Sequence, residues 1–301
     1  MGLGAVYLRL HHKYGHGLRV AWYRDIVRPR ILETPPVKDL LDGRCEIHAF
    51  TSQQDWLNLV WALKSFYKYS NHRYRLCIHE DGSLVTETIN QLVRHFPDAR
   101  IITRIDADKL LYVILANYPR VLEFRKKNLL APKLVDFIAY SQSDRMLVFD
   151  SDLLFFSEPT VLLSRIETGE YRLNTFNSDI NTAYTVDTDE VERLMNFKVM
   201  PRFNSGLGLV HKNSIRYDWI EEFLALPGIT NGHFWRIEQT LYALCSSRFG
   251  TEHLPDEYTL YLQKGIGNRP FRHYVGAIRH LMYSEGIASL DRNKFLENLR
   301  F

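Results

Sequence analysis

Short apolar segments alternate with longer segments of helical periodicity from residue 46 onwards. Strands are predicted at 47–50, 74–79, 100–105 and 145–149, and helices at 56–69, 85–96, 108–117 and 131–141. Within 56–69, for example, Leu59, Leu63 and Phe66 recur at the spacing of one helix face. Strands that alternate with helices in this way predict βαβ units, and therefore an α/β fold with a largely parallel sheet.

The pattern changes after residue 158, where strand-like pieces alternate with polar loops before another helical segment. These later elements are predicted at 171–176, 206–211 and 234–245. No linker, internal repeat or low-complexity tract divides the sequence, so a single domain is expected. Because the breaker Thr34-Pro35-Pro36 precedes the regular pattern, we expect an N-terminal extension at 1–44, one domain at 45–286 and a C-terminal tail at 287–301.

The composition is that of an ordinary globular protein, with 46% hydrophobic and 24% charged residues among 301. A net charge of +3 without a long basic block gives no reason to expect nucleic acid as a partner. Cys45, Cys77 and Cys245 are few, odd in number and widely spaced, which predicts reduced, buried thiols. Because the sequence shows neither a signal peptide nor an apolar stretch long enough to cross a bilayer, a cytoplasmic location is expected.

The first segment is basic and carries aromatic residues, which leaves peripheral attachment to a membrane open. Its basic and histidine residues are Arg9, His11, His12, Lys13, His16, Arg19, Arg24, Arg28 and Arg30. A segment of this composition is more often a packed or solvated helix than a lipid-binding one.

Two aspartates directly follow the strongly apolar strand predicted at 145–149, in the motif Asp150-Ser151-Asp152. A strand of this kind is typical of a buried α/β sheet, and ligands bind at the carboxyl ends of such strands. Two neighbouring carboxylates repel each other unless a cation lies beside them, and a divalent metal is the simplest such cation. The motif therefore predicts a metal-diphosphate site, although an acidic pair taken alone is also common in solvated loops.

Three further motifs follow in sequence order, and each has a structural alternative when taken alone. Asn204-Ser205-Gly206 combines a side-chain amide with a glycine that permits close backbone approach, or it is a bulged strand start. Glu238-Gln239 is suited to holding sugar hydroxyls, or it is a carboxylate that faces the dipole of a helix N-terminus.

The third motif places His273 before Gly276 and Arg279. An imidazole can complete the coordination of a divalent ion such as manganese. The glycine lets a phosphate approach the backbone, and the arginine can bind that phosphate with two donors. A histidine taken alone is more often structural than a metal ligand.

In this order, the motifs resemble those of the GT-A glycosyltransferases, particularly the retaining family 8 group typified by glycogenin and bacterial lipopolysaccharide galactosyltransferases. The likeness covers roughly residues 46–286 and adds three residues to the motifs above. Thr51 matches a threonine in the loop after the first strand, Trp56 an aromatic residue that packs on the nucleotide base, and Lys133 a basic residue before the metal-binding strand. The sequence departs from the family in having Glu-Gln for Asp-Gln, and Arg279-His280-Leu281 where Lys-Pro-Trp is usual.

The resemblance implies a GT-A (Rossmann-like) fold, with a mixed, mostly parallel sheet flanked by helices, and transfer of a sugar from a nucleotide-diphosphate donor to a hydroxyl group. Mn²⁺ or Mg²⁺ would be held by Asp150, Asp152 and His273. The expected donor-binding residues are Thr51, Trp56, Lys133, Asp150, Ser151, Asn204, Ser205, Gly276 and Arg279, and the expected catalytic residues are Gln239 and Glu238. A UDP-sugar is the expected donor, the reaction is expected to retain anomeric configuration, and saccharide, lipid-linked saccharide and protein acceptors all remain open.

Two alternatives belong to other functional classes. A haloacid-dehalogenase-type phosphatase would use Asp150 as its nucleophile, but that motif calls for a small polar pair where Leu153-Leu154 follows the aspartates. A non-catalytic sugar-binding module would keep the fold without activity. It gives no reason, however, for placing carboxylates together with residues suited to a metal and a phosphate.

Overall fold

The computed structural model describes residues 14–301. Arg9, His11, His12 and Lys13 of the basic segment lie outside the described residues. The strands are β1 (Asp42–Thr51), β2 (Tyr74–Glu80), β3 (Arg100–Ile102), β4 (Arg145–Phe149), β5 (Leu153–Phe155), β6 (Asn174–Ser178), β7 (Phe203–His211), β8 (Thr251–His253) and β9 (Phe271–His273).

The α-helices of the described residues are α1 (Leu18–Trp22), α2 (Trp56–Ser70), α3 (Thr86–His95), α4 (Arg104–Ile114), α5 (Pro119–Lys127), α6 (Ala131–Tyr140), α7 (Thr160–Glu167), α8 (Thr188–Met195), α9 (Tyr217–Phe223), α10 (Phe234–Phe249), α11 (Arg279–Leu281) and α12 (Ala288–Arg292). Short π-helical or 3₁₀ segments lie at Tyr23–Val27, Arg28–Glu33, Lys212–Ser214, Asp256–Tyr258, Gly276–Ile278 and Met282–Ile287.

Seven strands form the main sheet in the order β3-β2-β1-β4-β7-β6-β8. Strands β3, β2, β1 and β4 are parallel, β7 is antiparallel to both β4 and β6, and β8 is parallel to β6. A separate antiparallel pair joins β5 to β9. The prediction of a single α/β domain with a mixed, mostly parallel sheet is confirmed.

Helices cover both faces of the sheet, which is why its central strands are apolar on both sides. Successive side chains of a strand point to opposite faces, so Leu147 packs in the core beneath α2 while Met146 and Val148 pack in the core with α6 and α10. The four residues before Asp150 are fully buried. The metal motif therefore follows a strand whose position is fixed by packing on both faces.

The predicted boundary between the third strand and the next helix is wrong. The sequence pattern extends the strand to residue 105, but β3 ends at Ile102 and α4 begins at Arg104. Thr103 caps the helix, since its hydroxyl accepts a hydrogen bond from the backbone N–H of Asp106 at 3.2 Å. The cap starts the helix inside the run of isoleucines that had favoured a strand.

Both ends of the described chain pack on the α2 side of the sheet. Ile31 from the first segment and Phe295 from the last belong to the same buried cluster as α2. Trp61 of α2 stacks on Phe295 at 5.7 Å between ring centroids and donates a hydrogen bond to the carbonyl of Arg28 at 2.8 Å. These two segments therefore stabilise α2, which packs against one face of the sheet.

Cys45, Cys77 and Cys245 are buried free thiols, as the sequence predicted. Among residues 14–301, no helix is both long and apolar enough to cross a membrane.

Candidate active site

A pocket of about 560 Å³ opens at the carboxyl end of β4. Its walls come from distant parts of the chain: the start of α6, the loop after β4, the residues after β6, the start of β7, the first two turns of α10, the loop before β9, and the segment that begins at the end of β9. The volume lies within the range of sites for small ligands and cofactors. Its position agrees with the rule that α/β sheets bind ligands at the carboxyl ends of their strands.

Asp150, Asp152 and His273, here called the Asp-Asp-His cluster, converge in this pocket, and one ligand atom from each lies within 4.8 Å of the others. The Nε2 of His273 is 3.0 Å from an Asp152 oxygen and 3.7 Å from an Asp150 oxygen. The pairing of β5 with β9 brings the histidine to the aspartates, because Leu153 pairs with His273 and the N–H of Tyr274 donates to the Asp152 carbonyl at 2.9 Å.

Gly206 leaves the space in which the His273 ring lies. A methyl group at this position would be 2.7 Å from Nδ1 of the ring, closer than real side chains approach. The neighbouring Asn204 side chain fixes the ring, since its Oδ1 lies 3.1 Å from the same Nδ1 and also accepts a hydrogen bond from the Gly206 N–H at 3.0 Å. With Nδ1 engaged in this way, Nε2 faces the two aspartates.

The electrostatic balance of the Asp-Asp-His cluster keeps the Asp152 carboxylate ionised. Burial alone would raise the pKa of Asp152, but His273 and Arg279 outweigh burial and hold that pKa below its usual range. Burial would likewise lower the pKa of His273, and Asp152 reverses this effect and raises it. Arg279 donates to Asp152 at 2.6 Å and to Asp55 at 2.6 Å, so one guanidinium joins the pocket to the start of α2.

Lys133 lies on the opposite side of Asp150 and is almost completely buried. Its Nζ is 2.7 Å from an Asp150 oxygen and 3.4 Å from a Glu238 oxygen, and it donates to the Ser205 carbonyl at 3.2 Å. The Ser205 hydroxyl in turn donates to Glu238 at 2.9 Å. One lysine therefore sits between two acidic groups from different elements.

Glu238 and Gln239 lie in the second turn of α10 and both line the pocket. Burial raises the pKa of Glu238, Lys133 opposes this shift and Asp150 adds to it, and the balance is a pKa of about 7. The Gln239 amide nitrogen is buried and has no hydrogen-bond partner among the described residues. A buried donor without a partner is costly, so this amide is available to a ligand.

The structure brings most of the predicted site residues into one pocket. Those in its wall are Lys133, Asp150, Asp152, Asn204, Ser205, Glu238, Gln239, His273, Gly276 and Arg279. Of the other predicted residues, Thr51 ends β1 with its hydroxyl buried and without a partner in the described structure, and Ser151 is buried between the aspartates. Trp56 begins α2 and packs partly buried against the core. These three residues lie outside the pocket wall, and their roles stay predictions.

Sequence reasoning missed two acidic residues that position site side chains. Asp55 pairs with Arg279, and Asp179 accepts a hydrogen bond from the Asn204 amide at 2.9 Å. Neither aspartate belongs to a recognisable motif, so no signal in the sequence could single them out.

Part of the pocket wall is also apolar, formed by Ile180, Phe234, Trp235, Leu260, Leu262 and Val275.

The donor set of the Asp-Asp-His cluster fits a hard or borderline divalent ion such as Mg²⁺ or Mn²⁺. Two carboxylates and one imidazole supply oxygen and nitrogen ligands, and their convergence within 4.8 Å allows one ion to contact all three. The nearby pocket volume leaves room for further ligands of the ion.

Solved structures of glycosyltransferases share this fold. The galactosyltransferase LgtC, in complex with donor and acceptor sugar analogs, superimposes with a TM-score of 0.54 at 12% identity over 82% of this chain and 95% of LgtC. The apo form of mouse xyloside xylosyltransferase 1 gives a TM-score of 0.50 at 12% identity over 77% of this chain and 98% of that enzyme. No protein-family model and no curated protein sequence matches the chain. These likenesses show that the chain has the GT-A fold, which confirms the fold implied by the motifs.

Proposed function

We propose that the protein is a metal-dependent glycosyltransferase, which moves a sugar from a nucleotide-diphosphate donor to a hydroxyl acceptor. The observation that carries this proposal is the convergence of Asp150, Asp152 and His273 within one pocket of a GT-A fold. Mn²⁺ or Mg²⁺ would be held by these three side chains. When bound, the ion would neutralise negative charge on the departing diphosphate.

Arg279 and Gly276 form the part of the pocket that we assign to the diphosphate. The guanidinium supplies donors in a fixed fork that matches phosphate oxygens. A methyl group added at Gly276 would meet no described atom within 4 Å, so the surface at this glycine is open to a ligand. Asp55 holds the guanidinium from the α2 side and keeps it beside Asp152. Preorganised positive charge of this kind stabilises a leaving group without reorganisation during the reaction.

The opposite part of the pocket is assigned to the transferred sugar. The unpartnered Gln239 amide is available to the sugar, near the carbon at which the bond is exchanged. Glu238 already contacts Lys133 and Ser205, which gives it the additional task of positioning these two residues. The bond between the sugar and the diphosphate breaks as the acceptor oxygen bonds to the sugar, through an oxocarbenium-like state.

We further propose a UDP-sugar donor and retention of anomeric configuration, with the departing diphosphate taking the acceptor's proton. Trp56 is assigned to the base. The apolar pocket wall is proposed to hold the acceptor, because Trp235 and Leu262 are exposed to 39% and 43% although they face the pocket. Saccharide, lipid-linked saccharide and protein acceptors all fit a wall of this chemistry. The proposed location is the cytoplasm, with peripheral attachment to a membrane through the basic N-terminal segment as a further proposal.

The test is a thermal-shift panel of nucleotide sugars with and without Mn²⁺, followed by a turnover assay of the donor that binds. A ligand that binds only the folded state raises the melting temperature, and so identifies the donor. Asp152→Asn is expected to abolish the Mn²⁺-dependent shift and turnover. Asp144→Asn is the matched control, since Asp144 is exposed at the other end of β4. Near-normal metal-dependent turnover by Asp152→Asn would overturn the proposal.

The turnover assay, extended to a generic aryl phosphate, separates the two alternative functions. A non-catalytic module would bind a nucleotide sugar without transferring or hydrolysing it. A phosphatase would release phosphate from a generic aryl phosphate and leave nucleotide sugars intact, with Asp150 as its nucleophile. Against the second alternative, Asp150 is paired with Lys133 in a GT-A fold.

A further inference from the structure

A second group of polar side chains lies inside the sheet, away from the pocket. Glu46 and His48 on β1, and Cys77 and His79 on β2, share the sheet face that packs against α6. His48 pairs with Cys77 in the parallel register, and residues two apart on a strand point to the same face. All four side chains are buried, to 2% exposure or less. Because helices cover this face, apolar residues are expected at these positions.

Three of these residues, His48, Cys77 and His79, point their ligand atoms at one another and are here called the His-Cys-His cluster. Nδ1 of His48 is 3.1 Å from Nε2 of His79, and Sγ of Cys77 is 3.4 Å from the same Nε2. The three ligand atoms lie within 4.8 Å of one another. In a tetrahedral zinc site, nitrogen ligands are about 3.3 Å apart, and a nitrogen and a sulfur about 3.5 Å. The observed separations are close to these values.

An outer shell of hydrogen bonds orients His48. Its second nitrogen, Nε2, lies 3.2 Å from the Glu46 carboxylate. Glu46 is itself fixed by Arg100 at 2.7 Å and by the N–H of Gln142 at 2.7 Å. Metal-binding histidines characteristically donate their other ring N–H to a carboxylate in this way, which leaves the facing nitrogen free to bind the ion.

We propose that His48, Cys77 and His79 bind one borderline-soft transition-metal ion, of which Zn²⁺ is the test case, as a structural link between β1 and β2. The ligands would be Nδ1 of His48, Sγ of Cys77 and Nε2 of His79. The thiol releases its proton to solvent as the metal–sulfur bond forms, so the bound sulfur is a thiolate. Phe137 packs against the cluster, 4.8 Å from His79 between ring centroids. The three side chains of the cluster supply three of the four ligands of a tetrahedral ion, and a solvent molecule would supply the fourth.

The chemistry of this cluster differs from that of the pocket. Nitrogen and thiolate ligands select zinc-like or copper-like ions, whereas the carboxylate-rich Asp-Asp-His cluster suits Mg²⁺ or Mn²⁺. The two sites can therefore be assayed separately in the same protein. Failure of the zinc proposal would leave the proposed sugar transfer untouched.

The test uses full-length protein produced in medium supplemented with Zn²⁺ or with Co²⁺, because a fully buried site takes up its ion during folding. Metal content after exhaustive dialysis against a chelator is expected to be about one Zn²⁺ per chain. The cobalt form is expected to show the near-ultraviolet charge-transfer band of a thiolate–Co²⁺ bond. The pocket cannot produce this band, since it contains no cysteine.

Cys77→Ser is expected to lose the band and to lower zinc content at least about tenfold. The control is Cys45→Ser, which alters a buried thiol on the opposite face of β1 and should keep both. The double variant Cys45→Ser/Asp152→Asn should also keep the band. This result would exclude the Asp-Asp-His cluster as the source of the band. The spectrum of the wild-type cobalt form tests the proposal even where a variant does not fold. Wild-type protein with neither bound zinc nor the cobalt band, or a band that persists in folded Cys77→Ser, would overturn the proposal.

Discussion

Gly206→Ala is predicted to weaken metal binding by the Asp-Asp-His cluster for a steric reason alone. The new methyl group would lie 2.7 Å from Nδ1 of His273 and closer still to Cε1, whereas ordinary contact begins at 3.4 Å. The ring must therefore move by about 0.7 Å or more. Its Nε2 is only 3.0 Å from Asp152, and Asn204 holds the other nitrogen, so movement of the ring disrupts these contacts.

A displaced ligand should weaken Mn²⁺ binding at least about tenfold, which corresponds to about 1.4 kcal/mol. Overpacking should also lower the free energy of unfolding by about 1–3 kcal/mol. Isothermal titration with Mn²⁺ measures the first effect and urea denaturation the second. Gly208→Ala is the matched control on the same strand, because its methyl group would crowd Phe176, 2.7 Å from Cγ, rather than His273. The reasoning is refuted if Gly206→Ala, once folded, binds Mn²⁺ as tightly as wild-type protein does.

Three further predictions concern the charged groups of the pocket. Lys133→Met leaves Asp150 and Glu238 without their buried cation, and it should lower the free energy of unfolding by about 3 kcal/mol in urea denaturation. A decrease of less than about 1 kcal/mol would contradict this prediction. Burial raises the pKa of Glu238 to about 7 from a usual 4.5, so the unfolded chain loses this proton first and stability should fall as pH rises from about 4.5 to about 7. Glu238→Gln should flatten this part of the stability profile, and an unchanged slope would argue against the shift. Arg279→Gln should tighten Mn²⁺ binding, because it removes a cation from Asp152, and it should lower kcat/KM for the donor by about tenfold to a hundredfold. If Mn²⁺ affinity and kcat/KM both rise or both fall, the assigned role is contradicted.

The order of motifs predicted the fold and most of the pocket, because each motif has a local cause in the sequence. The strand before Asp150 is apolar because both of its faces are covered, and this run of apolar residues can be recognised in the sequence. The glycine of Asn204-Ser205-Gly206 was expected to permit close approach, and Gly206 admits the His273 ring. The predicted parallel sheet followed from the alternation of strands and helices.

Features that depend on distant contacts could not be predicted. Asp55 and Asp179 carry no motif, and only the folded chain shows that they hold Arg279 and Asn204. The end of β3 was misplaced because a single hydrogen bond at Thr103 outweighed an isoleucine-rich pattern. The His-Cys-His cluster was equally hidden, since His48 is distant along the chain from Cys77 and His79 and meets them only through the register of β1 and β2.

The proposed function rests on a divalent ion that is held by Asp150, Asp152 and His273 and carries a nucleotide diphosphate. Anomalous scattering at the manganese edge, from crystals grown with Mn²⁺ and UDP, tests it most directly. We expect one manganese peak within coordination distance of all three side chains and of the diphosphate oxygens, with Arg279 beside the same phosphates. A bound nucleotide with no manganese peak at these residues, or a peak that contacts neither aspartate, would contradict it.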